Sequence, residues 1–132
     1  MGGAMPRFVL LRHECHPTDF KPSHWDLMLE RQGVLLTWEL RELPTAWTEP
    51  SQLASSDSVA ARQLADHRLA YLDYEGPVSE KRGSVFCHDR GTYELLQQSD
   101  GYLELSLQGA ILHGTAELRQ SKLHWQLAVK SP

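Results

Sequence analysis

Apolar and polar residues alternate with a period of two along much of this chain, the signature of half-buried β-strands. Arg7 to Arg12 is a short apolar run of strand formers that ends at His13. Glu14 to Ser23, with Pro17 and Pro22, reads as a connection. In Ser23 to Glu30, one strand face carries His24, Asp26, Met28 and Glu30; the other carries Trp25, Leu27 and Leu29. Gln32-Gly33 predicts a tight hairpin into a third strand over Val34 to Leu40. From Arg41 to Ser56 the alternation breaks around Pro44 and Pro50, and Trp47 is expected to plug one end of the core. Asp57 or Ser58 is expected to cap a short helix through Val59 to Leu64. His67 to Tyr74 alternates again, with His67, Leu69, Tyr71 and Asp73 on one face.

Gly76-Pro77 ends or turns that strand, and Glu80 to Gly83 forms a charged turn. Ser84 to Asp89 and Gly91 to Leu96 bracket a bend or bulge at Arg90-Gly91. Tyr102 to Leu107, Ile111 to Leu118 and Leu123 to Val129 form a closing meander, with turns at Ser99 to Gly101, Gln108-Gly109 and Gln120 to Lys122. Short strands at this spacing indicate an all-β barrel or sandwich.

The strand over residues 23–30 also offers chemistry. An imidazole at His24 and a carboxylate at Asp26 point the same way from a rigid element, and His13 lies at the exit of the preceding run. Zinc and manganese accept this mixture of nitrogen and oxygen ligands. The plain alternative is a solvent-facing pair on a half-exposed strand.

Bulk properties narrow the class. A length of 132 residues fits one domain, expected over residues 7–132 behind a disordered lead at 1–6. The apolar fraction of 41% and charged fraction of 23% are those of a globular protein. No run approaches the ~18 apolar residues of a membrane span, and the N-terminus has no secretory h-region. Cys15 and Cys87 are expected to be idle thiols in a reducing cytoplasm. A formal charge of −4 argues against a binder working by bulk counterion release, but leaves room for a local phosphate pocket. Seven histidines are many for this length. His113 and His124, on late strands, read as surface or packing residues.

Several blocks together resemble the 3′-phosphoesterase domain of DNA ligase D. They are Arg12-His13, His24-Trp25-Asp26 to Leu29-Glu30, Gly33 to Trp38, Asp66-His67-Arg68-Leu69-Ala70-Tyr71, Tyr74-Glu75-Gly76, His88-Asp89-Arg90-Gly91-Thr92-Tyr93-Glu94, Gly101-Tyr102-Leu103 and Trp125-Gln126-Leu127. They occur in family order from about Phe8 to Val129. The resemblance implies a mainly β fold, a compact β-barrel of short antiparallel strands with one or two short helices. It implies a divalent metal, manganese first and zinc or another transition metal as alternatives, on His13, His24 and Asp26. It implies phosphate-side catalytic roles for His67 and Tyr71. The implied activity removes a 3′-terminal ribonucleotide or a 3′-phosphate to leave a 3′-hydroxyl in DNA repair. Implied partners are nucleic-acid 3′ ends and a separate ligase or polymerase, with a monomeric cytoplasmic protein.

The chain departs from the family at Met28, where the family carries a phosphate-contacting arginine. Arg41 is only a loose stand-in for a missing Lys-Gly-Pro segment, and Arg62 and Arg82 are the candidate replacements at the phosphate. A phosphoryl site short of one cation loses transition-state stabilisation. Two rivals therefore stand beside the enzyme: a non-catalytic metal-containing module that binds nucleic-acid ends or recruits repair partners, and an enzyme for another small phosphorylated substrate.

Overall fold

A computed structural model describes residues 5–19, 21–48, 57–78 and 82–130. Most of the expected lead at 1–6 and part of the 41–56 break lie outside the described residues. Nine strands form one antiparallel sheet among the described residues: β1 (Arg7–Glu14), β2 (His24–Arg31), β3 (Val34–Leu40), β4 (Asp57–His67), β5 (Gly76–Pro77), β6 (Ser84–Ser99), β7 (Tyr102–Gly109), β8 (His113–Ser121) and β9 (His124–Val129). The strand order is β1-β2-β3-β4-β9-β8-β7-β6-β5, and β1 also pairs with β6, so the sheet closes in a ring as expected. Among the described residues the one α-helix, α1 (Thr45–Thr48), is a single turn that buries Trp47 against the core.

Alternation sorts the two faces. Phe8, Leu10, Leu27, Leu29, Trp38, Leu40, Leu105, Leu118 and Leu127 fill the interior of the ring. Val9, Leu11, Met28, Leu35 and Val85 point outward into a second, smaller cluster capped by Leu72. Trp25 is only half-buried, because it lies at the end of β2 where the core tapers. At the Gln32-Gly33 turn both residues have positive φ, 52° and 84°, which matches the twist of a tight hairpin.

Two expected elements differ. Residues 59–64 are not a helix but part of β4. Val59 and Ala61 enter the core, and the backbone pairs on one edge with β3 and on the other with β9. An isolated two-turn helix is marginal in water, whereas here residues 57–61 pair with β9 and residues 61–64 with β3. The strand expected over His67 to Tyr74 stops at His67 and gives way to a 3₁₀ turn over Leu69–Leu72. That turn lets Leu72 seal the outer cluster, and an Arg7–Asp73 ion pair at 2.7 Å straps it to β1.

The bend expected at Arg90-Gly91 is a bulge at His88 within one continuous β6: Leu10 pairs with Asp89 and Leu11 with Cys87. Beside it, Asp89 is buried and accepts the backbone N–H groups of Ala110, Ile111 and Leu112 at 3.0, 3.2 and 2.7 Å. The carboxylate thereby fixes the β7–β8 turn. Replacing Asp89 with Ala would strand these donors, at a cost of about 2–4 kcal/mol. Urea denaturation of Asp89→Ala should show this loss, with Asp89→Asn intermediate because one amide oxygen still accepts.

Candidate metal centre on the outer sheet face

The outer faces of β1, β2 and β3 bring His13, His24, Asp26 and Glu39 together. The registers are direct: His13 lies opposite His24, and Asp26 opposite Glu39. His13 Nδ1 is 3.5 Å from Asp26 Oδ2, and His24 Nε2 is 3.5 Å from Asp26 Oδ1. The two imidazole rings are 4.6 Å apart between centroids. His24 and Asp26 are buried; His13 is half-buried. His13, His24 and Asp26 form a group able to hold a metal ion.

The hydrogen bonds around the group decide which atoms face inward. His13 Nε2–H donates to the Arg82 carbonyl at 2.5 Å, and His24 Nδ1–H donates to the Pro22 carbonyl at 2.9 Å. Each ring therefore turns its other nitrogen, with its lone pair, toward Asp26. Outer carbonyls that fix the tautomer of a histidine in this way are the usual support of a metal ligand. Gly83, at φ +86°, allows the Arg82 carbonyl to be there, since a Cβ at 83 would lie 2.1 Å from the Glu14 carbonyl oxygen. Asp26 Oδ1 is buried and has no hydrogen-bond partner.

Two lone pairs and a carboxylate facing one another require a positive charge between them. Ligand bonds of about 2.0–2.2 Å put neighbouring ligand atoms roughly 3–3.5 Å apart; each imidazole nitrogen is 3.5 Å from an Asp26 oxygen, and the three ligand atoms lie within 4.8 Å of one another. The residues thus fit a divalent cation on two nitrogens and one oxygen. Without a metal, protons take its place: the Asp26 carboxylate raises the His13 pKa, by hydrogen bonding above all. Burial pushes the Asp26 carboxyl up, but the two imidazoles outweigh it and hold the carboxyl at about 2.

The group opens into a cleft of about 520 Å³ that His67, Lys21 and Arg82 also line. His67 reaches it through a bulge. Thr37 pairs with Leu64 but Leu35 with His67, so Ala65 and Asp66 together face Leu36. The extra residue moves His67, instead of Asp66, onto the outer face. His67 donates Nδ1–H to the Ala65 carbonyl at 2.9 Å, leaving Nε2 available. Tyr71 is on the 3₁₀ turn rather than on one strand face with His67. It meets the His67 ring edge-on at 5.7 Å, and it lines a separate hollow of about 270 Å³. Arg62 is not in the metal cleft; it lines a second groove across β3, β4 and β9.

Glu39 is the residue that sequence reading missed. It is buried, accepts Lys21 Nζ at 2.8 Å and Arg41 Nε at 3.2 Å, and its Oε1 is 3.8 Å from His24 Nε2. Burial pushes its carboxyl up, and the Lys21, His24 and Arg41 contacts more than reverse this. Its signal was a charged residue at a site-face position in an otherwise apolar strand, Val34-Leu35-Leu36-Thr37-Trp38-Glu39-Leu40. Met28 is 1% exposed and sits within the outer apolar cluster, so position 28 forms a dry wall beside the cleft.

Fold and site together define a ring-closed antiparallel β protein with a two-histidine, one-aspartate centre on its outer face. The chain belongs to the DNA ligase D 3′-phosphoesterase domain family, whose pattern matches residues 13–120. It is 30% identical over 122 residues to the multifunctional non-homologous end joining protein LigD of Pseudomonas aeruginosa, covering 86% of this chain and 14% of that protein. It is 29% identical over 116 residues to the LigD of Mycobacterium bovis, covering 81% of this chain and 13% of the relative. The same figures hold for the LigD of Mycobacterium tuberculosis, described as a DNA repair protein. The chain thus spans about one seventh of the length of these relatives. Among the described residues no helix is long and apolar enough to cross a membrane.

Two outcomes test the centre. Calorimetry with manganese should show one tight site in the parent, at least a tenfold loss for His13→Ala, His24→Ala or Asp26→Ala, and only a small change for Glu39→Gln. The second outcome concerns the metal-free protein. Asp26 has a carboxyl lowered from 3.8 to about 2, so its ionised form stabilises the fold above about pH 4. That contribution, about 2 kcal/mol, is lost as pH falls through 2. Denaturation in a chelator at falling pH should show the gap between the parent and Asp26→Asn closing over that window.

Proposed function

We propose that this protein is a divalent-metal-dependent phosphoesterase that trims nucleic-acid 3′ ends, removing a 3′-terminal ribonucleotide or a 3′-phosphate to leave a 3′-hydroxyl. The observation that carries the reading is the buried Asp26 oxygen without a partner, faced by two imidazole lone pairs, in a cleft that also holds His67. Family membership supports the same chemistry. When bound, a manganese-type cation supplies Lewis acidity toward a phosphate oxygen and lowers the pKa of water. His13, His24 and Asp26 would hold it.

The chain's own residues supply the rest. With Nδ1–H held by the Ala65 carbonyl, His67 in its imidazolium form donates Nε2–H to the phosphate or passes that proton to the leaving oxygen. Tyr71 keeps the His67 ring in place by its edge-on contact. Lys21, pinned by buried Glu39, and Arg82 provide positive charge at the cleft that Met28 does not. The apolar wall of Met28, Leu35 and Leu72 keeps water from one side of the centre. The product 3′-hydroxyl is the group that a polymerase or ligase extends or joins, so such enzymes are the natural partners.

The rival, a metal-containing end-binding module without catalysis, draws on Met28. The distinguishing experiment is release of 3′-phosphate from a labelled strand with manganese, alongside calorimetry on the same preparation. His67→Ala should keep metal affinity and lose turnover by roughly 10²–10⁴-fold. Parent protein that binds manganese and strand but releases nothing is the module. Loss of metal binding in His67→Ala would make His67 a ligand instead.

A further inference from the structure

Beyond the metal cleft lies a second groove of about 640 Å³, walled by Arg41, Arg62, Gln63 and His124 and edged by Leu123. Glu39 lines the groove and links it to the metal cleft through its side-chain partners. Its Oε1 accepts Lys21 from the metal cleft, and its Oε2 accepts Arg41 from the groove. Strand register makes the connection straight: Asp26 lies opposite Glu39, and Glu39 opposite Arg62. The pairing of Ala61 with Trp125 then sets His124 beside Arg62. Adjacent strands lie about 4.8 Å apart, so Arg62 is roughly 10 Å from Asp26 across the outer face.

The charges in this row have few uses within the fold. Glu39 sets one negative charge against both Lys21 and Arg41, so the three together leave one positive charge over. Arg62 is exposed and has no ion-pair or hydrogen-bond partner among the described residues. The chain as a whole carries −4, so two arginines along one groove, facing the single carboxylate of Glu39, are a local reversal of sign. Leu123, 89% exposed at the β8–β9 turn, adds an apolar edge against which a base can rest. Each depression has the volume of one ligand site.

We propose that the groove across β3, β4 and β9 is the binding track for the body of a nucleic-acid strand whose 3′ end lies in the metal cleft, with Arg62 and Arg41 neutralising internal phosphates. The placement of the 3′ end rests on the phosphoesterase reading; the groove's affinity for a strand does not.

The test compares two probes on the full chain loaded with manganese: a short labelled single strand, read by fluorescence anisotropy, and a nucleoside 3′-phosphate, read by calorimetry. The strand should bind at least tenfold more tightly than the nucleotide. Arg62→Gln should weaken the strand about five- to tenfold and lower the slope of log affinity against log salt by roughly 0.7, one phosphate contact. Arg62→Lys should restore the slope, and Arg62→Glu should weaken binding further. Equal affinity for strand and nucleotide, or a strand affinity and salt slope unmoved by both Arg62→Gln and Arg62→Glu, overturns the proposal. Strand binding that responds to Arg62 without any 3′-phosphate release upholds the groove and refutes the enzyme.

Discussion

The site depends on one unfavourable arrangement: a buried carboxylate faced by two imidazoles whose N–H groups are committed elsewhere. The Arg82 and Pro22 carbonyls take those N–H groups, so the inward atoms are all acceptors. Such a centre is stable only around a positive charge, whether a metal or protons. Local details then acquire a purpose. Gly83 lets its neighbour's carbonyl approach β1, and the β1–β2 register sets His13 across from His24.

The ring places this centre outside, not inside. Among the described residues the interior is filled with large apolar side chains. The outward face divides into a dry part, closed by the 3₁₀ turn and Leu72, and a polar part that opens into the metal cleft. Met28 belongs to the dry part. Its cation-free character is therefore a packing fact, and the positive charge near the centre comes from Lys21 held by a buried glutamate.

Two irregularities in the ladders decide where side chains point. The bulge in β4 re-aims His67 toward the cleft, and the bulge at His88 sets Asp89 to clamp the β7–β8 turn. Bulges bend strands and redirect side chains at small cost in pairing. Without the first, an aspartate would face the centre where an imidazole now does.

Much was legible in the sequence because strand alternation is a local rule. It sorted His24 and Asp26 from Trp25, Leu27 and Leu29, located the Gln32-Gly33 hairpin, and gave the β-rich class. The helix expected at 59–64 failed because that segment's small residues fit either state, and pairing with β3 and β9 decides between them. The face of His67 was set by an extra residue in β4, which has no mark in the local pattern. Glu39 and Arg62, 23 positions apart, acquired their places through cross-strand register, and Lys21 reaches Glu39 by a side-chain hydrogen bond from the loop before β2. Sequence determines which way a side chain leaves its strand; tertiary structure alone decides what it meets, because closing the ring selects the neighbours.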